Sequence, residues 1–334
     1  MTSNDASRES LLAAILNFLP GQDADTRRQI KVVLEREIEA AGAEALLALR
    51  SRLLAEADWA YYPPDPLVRR IHHLLAERFL SADSVIEGVA VLDRLAGEPV
   101  VIVSNHLSYA DANVIETLLA RAGADAFAAR LTALAGPKIF SDKQRRFSSL
   151  CFGTIKVPQS SDVSSGEAVL NPRDVARAAR QSIDVARARL AAGDALLLFG
   201  EGTRSRTGEM QPMLPAAARY LEMPGTWVLP VGLVGPDDLY PVGDATLRPA
   251  RVELRLGAPF RGDTLLASAG DDRRLAMDAV GLAVAELLPE ERRGVYRAPD
   301  DLAAARALLE RLRTGDVDGP MHETASAKLW SSPS

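Results

Sequence analysis

After Ser81 the chain alternates short apolar runs with longer amphipathic stretches, and that rhythm restricts the fold more than any other feature. The runs predict strands at Val100–Ser104, Leu131–Ala135, Thr154–Val157, Ala195–Phe199, Trp227–Val234 and Arg251–Leu256. Between them, apolar residues at three- and four-residue spacing predict helices over Asp111–Ala122, Pro172–Ala192, Leu214–Leu221 and Asp271–Leu288. Strands separated by helical crossovers pair in parallel, so the expected fold class is α/β, a mixed and mostly parallel sheet flanked by helices. The last two strands are open to either direction.

Before Ser81 the texture is different. Arg8–Leu19, Asp25–Leu54 and Pro66–Leu80 carry helical spacing, as at Ile30, Val33, Leu34 and Ile38, and Pro20-Gly21 and Tyr62-Pro63-Pro64-Asp65-Pro66 break one helix from the next. The expectation is a small all-helical N-terminal domain over residues 1–82 with no strand, then the α/β domain over 83–298. Residues 299–334 follow as one helix, Pro299–Leu312, and a loose tail. Ser160–Gly166 reads as a flexible loop.

Composition narrows the function classes. With 334 residues, 47% hydrophobic and 25% charged, the chain is an ordinary globular one, long enough to bury a full core. Its 39 Lys and Arg against 45 Asp and Glu leave a net charge of −6, which argues against an overall nucleic-acid footprint and leaves local basic patches open. Cys151 is the one cysteine, so no internal disulfide or multi-cysteine metal cage can form, and a reducing compartment, the cytoplasm, is the natural expectation. Residues 1–8 lack the basic and then apolar pattern of a secretory leader. No apolar run approaches the roughly 20 residues that span a bilayer, so a soluble or peripherally membrane-associated chain is expected.

Four histidines, His72, His73, His106 and His322, form a short list for imidazole chemistry. His72-His73 lies on an N-terminal helix with no third ligand nearby, which favours a structural or solvated role, and His322 belongs to the tail. Cys151, between Leu150 and Phe152, reads as a small buried hydrophobe. His106 stands just past the carboxyl end of a buried strand, where ligand sites of open α/β sheets collect. Asp111, five residues on, can accept the Nδ1 proton of His106 and leave Nε2 as a base, or can simply cap the next helix.

A second strand, Ala195–Phe199, runs into Gly200-Glu201-Gly202-Thr203-Arg204-Ser205-Arg206. Its glycines allow close backbone approach, and its arginines offer the forked geometry that suits phosphate, although a solvated turn has the same composition. No Walker A or GxGxxG pattern is present. The cluster Lys143-Gln144-Arg145-Arg146 is either a solvated face or a contact for an anionic ligand or partner.

Taken together, Asn105-His106-Leu107-Ser108-Tyr109-Ala110-Asp111 and Gly200-Glu201-Gly202-Thr203-Arg204-Ser205 resemble the NHxxxxD and PEGTRS blocks of the glycerolipid acyltransferase family. Ala135-Gly136-Pro137-Lys138-Ile139-Phe140 and Val228-Leu229-Pro230-Val231-Gly232 are similar to that family's second and fourth blocks, in the same order. The helical unit ahead of the α/β domain looks most like the soluble glycerol-3-phosphate acyltransferase branch. One departure is Gly200, where members often carry proline.

The resemblance implies transfer of a fatty acyl group from a thioester of coenzyme A or acyl carrier protein to a hydroxyl of glycerol 3-phosphate, with no bound cofactor or metal and no acyl-enzyme. In that scheme His106 is the general base and Asp111 orients it. Lys138, Arg204 and Arg206 bind the acceptor phosphate, with Gly202 and Thr203 in the same loop, and Glu201 binds a glycerol hydroxyl or holds Arg204. Backbone N–H groups of Gly200–Thr203 or near Ser108 serve the oxyanion. Partners are then the thioester donor, the phosphorylated acceptor and a peripheral membrane contact, with no nucleic acid. Lysophosphatidate or another lipid or natural-product alcohol is the alternative acceptor. A non-catalytic acyl-carrier or lipid-binding module, and a thioester or phosphate-ester hydrolase, are rival readings.

Overall fold

Strands form where the sequence places its apolar runs. A computed structural model describes residues 3–19, 21–158, 172–243 and 246–314. The expected loop at 160–166, the tail from 315 and His322 lie outside them. Among the described residues nine strands make one mixed sheet: β1 (Tyr61–Tyr62), β2 (Val85–Glu87), β3 (Val100–Ser104), β4 (Leu131–Ala135), β5 (Gly153–Lys156), β6 (Ala195–Phe199), β7 (Trp227–Val234), β8 (Glu253–Leu256) and β9 (Phe260–Arg261). Their order is β1-β5-β4-β6-β3-β7-β8-β2, with β9 also on β7. The run from β5 to β7 is parallel, β8 is antiparallel to β7 and parallel to β2, and β1 and β9 pair antiparallel at the margins.

The central strands are apolar at nearly every position because both faces are covered, with Ser104 of β3 and Thr132 of β4 as buried polar exceptions. Val100 and Ile102 of β3, Leu131 and Ala133 of β4, and Ala195 and Leu197 of β6 join one apolar cluster, and Val101, Val103, Leu196 and Leu198 join the other. Helices Ser3–Asn17, Ala24–Leu54, Pro66–Phe79 and Asp111–Arg121 contribute to the first cluster. Helices Pro172–Ala191, Gly262–Ser268, Arg273–Ala285 and Ala303–Thr314 contribute to the second. A period of two along each strand thus divides its side chains between two helical layers.

Several local expectations change. The first 82 residues are not free of strand, since Tyr61–Tyr62 pairs with Ile155 and Thr154 on the sheet margin. Two residues before a Pro-Pro pair carry too little periodicity to announce a strand, and the same is true of β2 and β9. The long second helix breaks at Gly42, whose φ of 77° is accessible to glycine and costly for other residues. The expected helix Leu214–Leu221 is a 3₁₀ turn over Pro215–Tyr220, and Pro299–Leu302 is likewise 3₁₀ before the α-helix Ala303–Thr314 begins.

Register then places the loops. Ser104 is level with Phe199 on one side and Val231 on the other, so β3 and β6 finish together while β7 runs on to Val234. Beyond Ser104, buried Asn105 continues the pairing with its side chain: its Nδ2 donates to the Leu233 carbonyl at 2.9 Å and its Oδ1 accepts from the Leu233 N–H at 2.9 Å. Asn105→Ala would leave both Leu233 backbone groups without partners in a dry site. It should lower unfolding free energy by about 2–4 kcal/mol, measured by denaturant titration; a change within about 0.5 kcal/mol, the usual range for a surface substitution, would refute the assignment.

Candidate active site

The turn after β3 is built around one carboxylate. Asp111 opens the helix Asp111–Arg121, is fully buried, and reaches back across the turn. Its Oδ2 accepts from His106 Nδ1 at 2.7 Å and from the Leu107 N–H at 2.7 Å, and its Oδ1 accepts from the Ser108 N–H at 2.9 Å. Imidazole partner and turn former are therefore the same side chain. With the Nδ1 proton given to Asp111, the lone pair lies on Nε2. The imidazole stacks on Phe199 of β6, centroids 4.2 Å apart and planes at 16°, which fixes its plane at the wall of a cleft.

Glu201 ties that turn to the loop after β6. Its Oε1 accepts from the His106 N–H and its Oε2 from the Gln211 N–H, each at 2.8 Å, while the Ser205 N–H donates to the His106 carbonyl at 2.8 Å. Glu201 is buried and does not line the cleft. This differs from the expected substrate or Arg204 contact, for a physical reason: two loop N–H groups without strand partners capture both of its oxygens. Burial pushes its carboxyl up to about 7, against the opposing pull of those N–H groups.

Two glycines shape the same loop. Gly202 has a φ of 72°, and a Cβ there would lie 2.3 Å from Leu214 Cδ1. At Gly200, where the resembling block has proline, the φ is not left-handed, and the demand is steric: a Cβ would meet Met213 Sδ at 2.4 Å.

The cleft holds about 430 Å³. Lys138, Gly202, Thr203, Arg204 and Arg206 line it beside His106, so the structure gathers all the sequence-selected residues except Asp111, which stands behind His106, and Glu201. Arg145 and Arg219 join them, so that among the described residues the lining has five Lys and Arg side chains and no carboxylate, in a protein whose net charge is −6. Arg145 was one option in a charged cluster; Arg219, on the 3₁₀ turn Pro215–Tyr220, carried no sequence signal. Leu134, Phe152, Val175, Ala179 and Leu198 give the same cleft an apolar side.

The oxyanion candidates are also separated. The Leu107 and Ser108 N–H groups are bonded to Asp111, the Ala110 N–H to Ser108 Oγ, and the Gly202 N–H to the Phe199 carbonyl. The Thr203 N–H makes no hydrogen bond among the described residues.

The other sequence-selected side chains form a buried network away from the cleft mouth. Glu116 accepts from Arg69 Nε at 2.6 Å and is 2.8 Å from His73 Nε2, and Cys151 Sγ donates to it at 3.6 Å. Burial lowers the His72 imidazole to about 4 and pushes the Cys151 thiol well up, so neither is a ready cation or thiolate near neutral pH. Among the described residues, no group of three or more His, Cys, Asp or Glu could hold a metal ion, and no helix is long and apolar enough to cross a membrane.

Residues 86–234 match the family model described as Acyltransferase. The matched segment runs from within β2 to the end of β7 and contains His106, Asp111 and the Gly200–Arg206 loop. The structure is similar to the crystal structure of the 1-acyl-sn-glycerophosphate (LPA) acyltransferase, PlsC, from Thermotoga maritima, with 21% sequence identity over 72% of this chain and 87% of that chain and a TM-score of 0.43. No curated protein matches the chain.

The Glu201 geometry carries a pH signature. An unfolded glutamate ionises near 4.5 and the folded one near 7, so between those values the native state keeps a proton that the unfolded chain has lost. Glu201's contribution to stability is full below pH 4.5 and is lost as pH rises through 7, a fall on the order of 3 kcal/mol. Denaturant unfolding at pH 5 and pH 8 should show that fall in the wild type and a flatter profile in Glu201→Gln. Parallel profiles would overturn the account.

Proposed function

We propose that this protein transfers an acyl group from a thioester of coenzyme A or acyl carrier protein to a hydroxyl of a phosphorylated glycerol, either glycerol 3-phosphate or its 1-acylated form. The observation that carries the reading is the His106–Asp111 pair at the edge of a cleft lined, among the described residues, by five cations and no carboxylate. The Acyltransferase family match over 86–234 supports the reaction class.

His106 Nε2 accepts the proton of the attacking hydroxyl as its oxygen bonds to the thioester carbonyl carbon. Asp111 holds the tautomer and stabilises the imidazolium. The carbonyl oxygen becomes an oxyanion, for which the Thr203 N–H is an available donor. Collapse of the tetrahedral intermediate expels the thiolate, which takes the proton from His106. The thioester is already activated, so no protein nucleophile is required. Cys151 is buried with a raised thiol pKa, and the Ser108 hydroxyl is bonded to the Tyr240 carbonyl at 2.9 Å.

An apolar chamber favours a lipid acceptor as a second form of the same reading. It is lined by Ile15, Phe18, Phe79 and Phe147 and shares Tyr109 and Asn113 with the cleft, so a 1-acyl chain has an apolar surface beside the reacting centre. Exposed Val32, Val33, Leu47 and Leu54 on helix Ala24–Leu54 suit peripheral contact with the membrane that holds such a lipid.

His106→Ala should lower kcat by about 10³-fold or more with an unchanged circular dichroism spectrum. Asp111→Asn should lower kcat by roughly 10²–10⁴-fold and also cost stability, because it disturbs two N–H bonds as well as the imidazole. The assay uses a palmitoyl thioester with glycerol 3-phosphate, its 1-acyl form and unphosphorylated glycerol, with products read by mass. Wild-type turnover in His106→Ala, or free fatty acid as the sole product, would sink the reading.

A further inference from the structure

Residues 210–214 run behind the loop after β6, and their backbone bonds point two ways. Toward the site, the Gln211 N–H donates to Glu201 Oε2 and the Leu214 N–H donates to the Gly200 carbonyl, each at 2.8 Å. Met213 Sδ and Leu214 Cδ1 occupy the space that a Cβ on Gly200 and on Gly202 would need. Glu201 in turn holds the His106 N–H. Away from the site, both backbone groups of Met210 and both of Met213 are bonded to residues 274–296, which lie beyond the family-matched 86–234. The Met210 N–H donates to the Arg292 carbonyl at 2.9 Å, and the Met210 carbonyl accepts from the Val295 N–H at 3.3 Å. The Met213 N–H donates to the Tyr296 hydroxyl oxygen at 2.9 Å, and the Met213 carbonyl accepts from Arg274 Nη1 at 2.9 Å.

The outer side is shaped to hold Met213. Tyr296 is buried, and its hydroxyl, while accepting from Met213, donates to Asp278 Oδ1 at 3.5 Å. Arg274 sits one turn before Asp278 on helix Arg273–Ala285 and donates to the same Oδ1 at 3.5 Å. One carboxylate therefore orients both groups that grip Met213. Burial raises the Tyr296 phenol above its ordinary value, so the hydroxyl stays protonated and keeps both bonds. The ring needs a slot in that helix: a Cβ at Gly281 would lie 2.2 Å from Tyr296 Cζ, so a residue of poor helix propensity stands in mid-helix. Gly294 serves the other pairing, since a Cβ there would lie 2.0 Å from the Met210 carbonyl oxygen. A segment of five residues held by four bonds on one side and two on the other passes a displacement across with little slack.

We propose that Tyr296 is a positioning residue for His106, acting through Met213, the loop after β6 and Glu201, so that residues 274–296 belong to the working unit although they lie outside the family-matched segment. The inference rests on the acyl-transfer reading and deepens it. Catalytic groups must stay within about 0.5 Å of their productive geometry. Without the Tyr296 hydroxyl, the Met213 N–H has no acceptor in a dry site, and the segment moves to find one. Gly200 and Glu201 move with it, and the His106 backbone follows. The cations of the cleft sit on long side chains that can readjust to such a shift, whereas the His106 backbone and the Thr203 N–H cannot. The loss is therefore expected in kcat and not in KM.

The test compares Tyr296→Phe with Thr132→Val, a control that also loses one buried hydroxyl bond, that of Thr132 to Asp194 Oδ2 at 2.6 Å, but does not line the cleft. Both should lower the melting temperature by a few degrees. Tyr296→Phe should lower kcat at least tenfold with each KM changing less than threefold, while Thr132→Val keeps kcat within twofold. In a Glu201→Gln background the Tyr296→Phe step should cost less than threefold, because the link it acts through is already weakened. Amide hydrogen exchange, followed by mass spectrometry in peptides covering His106 and residues 200–214, should be at least tenfold faster in Tyr296→Phe and unchanged in Thr132→Val. If Tyr296→Phe does not fold, Arg274→Gln, which frees the Met213 carbonyl from a half-exposed side chain, carries the same comparisons. A kcat fall short of tenfold, an equal fall in Thr132→Val, or a full additional loss in the Glu201→Gln background overturns the positioning role and leaves the transfer reading standing. A wild type that transfers to no acceptor overturns the transfer reading, and exchange still judges the coupling: faster exchange at His106 in Tyr296→Phe supports it, and unchanged exchange refutes it.

Discussion

The constraint on which the rest of the structure depends is double-sided burial of the parallel strands β5, β4, β6, β3 and β7. A strand covered on both faces cannot slip by one residue without exchanging two sets of packed side chains, so its register is fixed by both layers together. In β3, Val100 and Ile102 belong to one layer and Val101 and Val103 to the other, all within 1% exposure. Because that register is fixed, Ser104 and Phe199 end level, and the loops after β3 and β6 meet at one edge. His106 and Arg204 face one cleft because the strands beneath them end in line.

What happens at that edge is an accounting of backbone groups. Chain leaving a sheet loses its ladder partners, and buried N–H groups left unbonded are costly. Asn105 substitutes for the ladder against Leu233, Asp111 takes the Leu107 and Ser108 N–H groups, and Glu201 takes those of His106 and Gln211. The polar residues of the two motif blocks are largely the residues that make this edge foldable. Asp111 does both tasks at once, since the oxygen that receives the Leu107 N–H also receives His106 Nδ1.

That double duty explains how much of the molecule could be read from sequence. Strands β3, β4, β6 and β7 are five to eight residues long and apolar at nearly every position, and their boundaries are visible as such. His106 and Asp111 are five residues apart, so their pairing is a local question. Glu201 is different: its partners are backbone donors at His106, 95 residues away, and at Gln211, and backbone donors carry no residue-type signal. Tyr109, Arg145 and Arg204 likewise meet only through tertiary structure, and nothing in a run such as Lys143-Gln144-Arg145-Arg146 says which member turns inward. Here Arg145 reaches the cleft, whereas Arg146 donates to the Arg52 carbonyl at 2.9 Å. The two-residue strand β1 was illegible because its pairing comes from the position of β5 and not from its own pattern.

Charge is distributed by the same logic. A chain with net charge −6 can present a cleft lined by cations only if its carboxylates near the site are spent elsewhere. Asp111 and Glu201 are turned inward onto backbone N–H groups, and Asp142 caps the helix that carries Arg145 by accepting its N–H at 2.9 Å. Asp237 pairs with Arg292 at 2.6 Å beside Gly208, whose carbonyl accepts from the same arginine nitrogen. Of the two carboxyls beside His106, Asp111 contacts the ring and Glu201 contacts only its backbone N–H. Burial holds Glu201 near 7, with the nearby Asp111 charge adding to the upward shift, so the second negative charge is resisted where the first is already in place. The arrangement gives the imidazole one firmly placed counter-charge and leaves the cleft potential to the arginines and lysine that line it.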